Sequence, residues 1–101
     1  MASMAALSVA GPAQALTLAE DRKSALARAL KELRLPHTPA QLDLVGYKEN
    51  SNRDGVRMEA VIRLTWKPGL RVRKFAFEAE TFELAHLDIV TAAHDAFSNP
   101  R

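Results

Sequence analysis

The chain of 101 residues contains no cysteine. That removes disulfides, thiolate metal sites and cysteine nucleophiles together, and it fits a reducing, cytoplasmic setting. Aromatic residues make up only 6%, and the four glycines, Gly11, Gly46, Gly55 and Gly69, are scattered, so no glycine-rich phosphate cradle can be assembled. No apolar run approaches the roughly 20 residues that span a bilayer, so no membrane partner is expected. No Lys or Arg precedes Arg22, so the opening "MASMAALSVAGPAQA" lacks the positive start of a signal peptide, and Gly11-Pro12 interrupts its apolar stretch. Residues 1–16 read as a flexible Ala-rich tail, 17–98 as one domain and 99–101 as a short C-terminal tail.

What is present is ordinary for a small globular protein: 48% apolar and 26% charged residues. A domain this size buries roughly 60–65% of its unfolded surface, enough for one core. Five periodic segments stand out. "TLAEDRKSALARALKELRL" has a capping box in Thr17 and Glu20. Its apolar stripe is Leu18, Ala25, Leu26, Ala29, Leu30 and Leu33, and Arg22, Lys23, Arg28, Lys31 and Glu32 take the polar side. This helix ends near Arg34, before two prolines. "QLDLVGYKE" reads as a short strand in which Gly46 marks a bulge or a fading edge.

After the turn cluster "NSNRDG", the stretch "VRMEAVIRLTW" alternates most clearly. Val56, Met58, Ala60, Ile62, Leu64 and Trp66 form one face, and Arg57, Glu59, Val61, Arg63 and Thr65 form the other. Trp66 closes one end of the core. Pro68-Gly69 predicts a type II turn with positive φ at Gly69.

"LRVRKFAFEAE" changes parity midway. Leu70 and Val72 fall on one side and Phe75, Phe77 and Ala79 on the other, so a bulge at Arg73-Lys74 is expected to return the phenylalanines to the core. A second helix starts at an N-cap Thr81, with Glu83 in its first turn. It buries Phe82, Ile89, Val90, Ala93, Ala96 and Phe97. The order α-β-β-β-α, with short connections, predicts a two-layer α+β fold: a three-stranded antiparallel meander with both helices on one face.

The chemistry-bearing residues give no enzyme. His86 and His94 lie two helical turns apart and cannot share one ion. Glu83 and His86 have the E-x-x-H spacing of half a di-iron site, but the partner glutamates are not evident. None of the serines sits in a Gly-x-Ser-x-Gly setting. No catalytic residue, metal or cofactor is therefore assigned.

The charge pattern is more informative. Residues 51–74 hold seven bases against two acids, whereas residues 75–101 hold five acids against one base; the blocks nearly cancel, and the whole chain carries a net charge of only +2. With Leu42 and Leu44 toward the helices, Val45, Tyr47 and Val61 are expected on the open face among arginines. The interaction surface read from the sequence is Tyr47, Arg57, Val61, Arg63, Lys67, Arg71, Arg73 and Lys74, a basic surface complementary to an acidic partner, including the acidic last helix of a second copy. The function expected is a non-enzymatic protein-interaction module whose partner is another protein or a second copy. The alternative is nucleic-acid binding through the basic hairpin 56–74. The element order is similar to that of the double-stranded RNA-binding domain. That family would grip phosphates from a lysine-rich start of its last helix. The matching stretch "EAETFELAH" carries Glu78, Glu80 and Glu83 and no Lys or Arg, so the resemblance stops at topology and implies no binding residue.

Overall fold

The computed structural model describes residues 18–36, 40–66 and 69–98. Its elements are α1 (Ala19–Glu32), β1 (Ala40–Asn52), β2 (Gly55–Trp66), β3 (Gly69–Ala79) and α2 (Phe82–Phe97). The three strands form one antiparallel sheet in the order β1-β2-β3. Helix α1 packs on β1, α2 packs on β2 and β3, and the two helices touch each other over the same face of the sheet. The protein is a small two-layer α+β fold, as the pattern of periods predicts.

The middle strand sets the layer. Met58, Ala60, Ile62 and Leu64 are fully buried, joined by Leu26 and Leu30 of α1, Leu42 of β1, Phe75 of β3, and Ala85, Ile89, Ala93 and Phe97 of α2. Removing such side chains from water contributes about 1.5–3 kcal/mol for each large aliphatic residue. The small residues Ala60, Ala85 and Ala93 let helix and sheet backbones approach. Phe75 and Phe97 meet edge to face, with ring centroids 5.9 Å apart. Trp66 is half-buried at the end of the core and lies against Gly69, where an added Cβ would stand 3.4 Å from the indole.

The ends of the elements follow local chemistry. The Thr81 hydroxyl oxygen accepts a hydrogen bond from the Leu84 amide at 3.2 Å, capping α2. Helix α1 begins one residue later than its predicted cap. Leu18 occupies the N-cap position without a side-chain bond, and Thr17 lies outside the described residues. Strand β1 extends to Asn52, further than its hydrophobic alternation, and the β1–β2 connection closes with the Asp54 amide donating to Asn52 Oδ1 at 2.8 Å. Gly55 there has φ +147°, and a Cβ would come 2.6 Å from the Ala79 carbonyl oxygen, so only glycine fits. Lys67 and Pro68 of the expected turn lie outside the described residues, and Gly69 is already the first residue of β3.

Two strands depart from the sequence expectation. The irregularity in β1 lies between Leu44 and Gly46, where Val45 is extra in the register. Gly46 sits against Val61, and a Cβ there would stand 3.2 Å from the valine side chain. The bulge reverses the parity of everything after it, so Tyr47 and Glu49 pair with Ala60 and Met58 on the helix side of the sheet. In β3 the expected bulge at Arg73-Lys74 is absent. The strand pairs with β2 without a shift from Val56↔Ala79 to Trp66↔Gly69. The phenylalanines hold the core face, and Leu70 and Val72 are turned outward.

Candidate interaction surface

The register assigns the paired residues of the open face, leaving out Val45, which is exposed at the bulge. From one end to the other, the rows across β1, β2 and β3 are Asn50–Arg57–Glu78, Lys48–Glu59–Ala76, Gly46–Val61–Lys74, Asp43–Arg63–Val72 and Gln41–Thr65–Leu70. Of the eight residues expected to form the surface, this face carries Arg57, Val61, Arg63 and Lys74. Tyr47, Arg71 and Arg73 project from the opposite, helix-bearing side, for the two reasons of phase just described. Lys67 lies outside the described residues. The single basic cluster expected from the sequence is therefore divided between two faces.

Three bases on the open face, Arg57, Arg63 and Lys74, are matched by carboxylates on the same face. Arg57 bonds Glu59 at 3.1 Å and Glu78 at 3.2 Å, Lys74 reaches Glu59 at 3.2 Å, and Arg63 reaches Asp43 at 3.4 Å. The hydrogen bonds to Arg57 and Lys74 hold the Glu59 carboxyl below its ordinary range. The bond from Gln41 does the same for Asp43; desolvation opposes it, and the smaller effects of the Arg63 hydrogen bond and charge add to the lowering. Such exposed pairs contribute little stability each. Their importance lies in the field they leave: a ladder of alternating sign rather than a positive plane. The neutralising acids come from neighbouring strand positions on the same face.

Beside this ladder lies an apolar strip. Leu70 is 61% exposed and Val72 51% exposed, two residues apart on the open face of β3, with Val61 half-buried one row further along. Sequence reasoning missed both exposed residues because it assigned Leu70 and Val72 to the core before a bulge. The available signal was size: Phe75 and Phe77 bury more area than Leu70 and Val72, so they decide which side of a regular strand goes inward.

On the other side of the sheet the parity reversal builds a part-buried polar cluster. Arg22, whose side chain is 10% exposed, donates from Nε to Glu49 Oε1 and Oε2 at 2.8 and 3.1 Å and from Nη2 to Oε2. The Tyr47 hydroxyl donates to Glu49 Oε1 at 2.5 Å, and the guanidinium lies 3.8 Å from the centre of the Phe82 ring. The sequence pattern put Arg22 on the solvent side of α1. It is instead buried in line with Leu26 and Leu30, one helical turn apart each. Its bonds hold the Glu49 carboxyl below its ordinary range, while burial, and then Glu49 itself, push the Tyr47 phenol well above its own. The cluster ties α1, β1 and the start of α2 together. It does not reach the open face.

Glu83 and His86 gain no companions: among the described residues, no three His, Asp or Glu side chains converge. No helix among them is long and apolar enough to cross a membrane. Comparison of the chain with protein-family models, curated proteins and solved structures finds no match.

Proposed function

We propose that this protein is a non-enzymatic interaction module and that the open face of its sheet is where a protein partner docks. The observation that carries the reading is the pair Leu70 and Val72, exposed side by side on a sheet face that no described element covers, next to charges already paired among themselves. An apolar strip bordered by arginine and by ordered ion pairs has the composition of a protein interface centre and its rim. A phosphate backbone would ask for the reverse. It is held by Lys and Arg side chains free to displace its condensed counterions, whereas Arg57, Arg63 and Lys74 would each have to give up a carboxylate, and Arg71 and Arg73 face the other way.

The test is a photo-crosslinking amino acid at Val72 in the producing cells, with Lys23 on the exposed side of α1 as the control position. Protein adducts at position 72 and not at 23 are expected. An absence of protein adducts at 72, or adducts composed of nucleic acid, would overturn the reading.

A further inference from the structure

The two edges of the sheet differ. Edge β1 is bent by the bulge at Val45, a device that discourages pairing with another strand. Edge β3 is eleven residues long and regular throughout, and among the described residues nothing pairs with its outer side. Its alternate backbone N–H and C=O groups point outward, ready to bond another strand.

The charge along β3 is polarised. Arg71, Arg73 and Lys74 occupy the first half, Glu78 the second, and Glu80 follows immediately. A parallel neighbour of the same sequence would set like charges together. An antiparallel one would set the basic half against the acidic half. From this we infer that β3 pairs antiparallel with β3 of a second copy, about a twofold axis at Ala76, to give a continuous six-stranded sheet. The inference rests on the proposed role in protein contact and names the partner at this edge.

The register follows from counting around Ala76. Lys74 stands opposite Glu78 of the second copy, twice by symmetry, on the open face. Phe75 stands opposite Phe77, also twice, on the helix side. A register centred on Val72 would instead place Arg71 opposite Arg73 twice, a like-charge contact that destabilises a strand pair. Space over the joined sheet is sufficient. Strands stand about 4.8 Å apart and α2 lies over β2 and β3. The two copies of α2 would therefore run roughly 10 Å apart, a separation at which helices pack. Leu70 and Val72 stay outward, one strip toward each end, so the dimer would offer the proposed docking face twice.

Because the protein has no cysteine, single-cysteine variants of the full chain test the arrangement directly. Directly opposed antiparallel residues have Cα atoms about 4.5–5.5 Å apart, within disulfide reach. Residues at position 72 would lie roughly 26 Å apart along the strands, at 3.3 Å per residue. Under mild oxidation A76C is expected to run at twice the chain mass on a non-reducing gel and V72C is not, with the parent showing a reversible dimer in sedimentation. K74E is expected to weaken that dimer by about tenfold or more, and K74E/E78K to recover it, even though Glu59 and Arg57 inside each chain remain mismatched. A parent that stays monomeric at high micromolar concentration with no A76C cross-link overturns the inference, as does cross-linking of V72C in preference to A76C. Protein adducts from the Val72 photo-probe, found together with a monomeric parent and no A76C cross-link, would leave the docking reading standing and remove the self-pairing.

Discussion

Arg22→Met is the most telling single perturbation of this fold. It removes the cation but keeps the volume of the side chain, so the Glu49 carboxylate stays part-buried, facing the Tyr47 hydroxyl without its countercharge. Breaking a fully buried pair from one side costs about 3–5 kcal/mol. Here the two side chains keep 10% and 14% exposure, so water recovers part of that, while the contact with Phe82 worth about 0.5–1 kcal/mol is also lost. The expected loss is about 2–4 kcal/mol, which in a domain this size lowers the thermal midpoint by about 10–25 °C. R22M/E49L should lie within about 1.5 kcal/mol of the parent, because removing both charges leaves none stranded and mainly costs the bond from Tyr47.

The pH dependence has a fixed sign. Glu49 binds its proton less readily in the folded state than at its unfolded value near 4.5. Its contribution is therefore complete above that value and disappears as pH falls through the lower, folded one. Urea unfolding of the parent at pH 7 and in the acid range should show that loss, and E49Q should flatten it. An Arg22→Met cost below about 1 kcal/mol, or a double variant as costly as the two single variants added together, would refute the claim that this pair is a coupled, desolvated unit.

The remaining predictions concern local features. Thr81→Ala should cost about 1 kcal/mol in chemical denaturation by removing the cap on α2, with the helix itself retained by circular dichroism. Gly55→Ala should lower the thermal midpoint by an amount equivalent to about 1–3 kcal/mol, since φ +147° and the Ala79 carbonyl 2.6 Å away both oppose a Cβ. Phe97→Ala should cost about 3–5 kcal/mol in urea unfolding. Val72→Thr on the open face should stay within about 0.5 kcal/mol.

Element order, the inward face of β2, the cap at Thr81 and the burial of Ile89, Ala93 and Phe97 were all legible in the sequence because one period runs through each segment. The errors share one physical origin. A strand's phase is a tertiary quantity, and one extra residue transfers every later side chain to the other face. In β3 two apolar sets compete, and the phenylalanines win by size without any irregularity. In β1 the glycine that permits the bulge was visible, but its consequence for Tyr47 and Glu49 depends on where Val61 lies across the ladder. Arg22 was misplaced by its type: its spacing from Leu26 and Leu30 is that of a buried residue, and the countercharge that allows burial comes from Glu49, 27 positions away in the chain. The same phase errors made the basic residues look like one cluster, when the structure divides them and pairs Arg57, Arg63 and Lys74 on the open face with Asp43, Glu59 and Glu78.

The proposed docking face exists only if β3 turns Leu70 and Val72 outward. Methyl relaxation with a soluble gadolinium chelate measures that directly in the intact protein. Strong enhancement at the Leu70 and Val72 methyls, with none at Ile62, Leu64 and Ile89, is the predicted result. Protected Leu70 and Val72 methyls in monomeric protein would contradict it, because β3 would then have the opposite phase and the open face would lose its apolar strip.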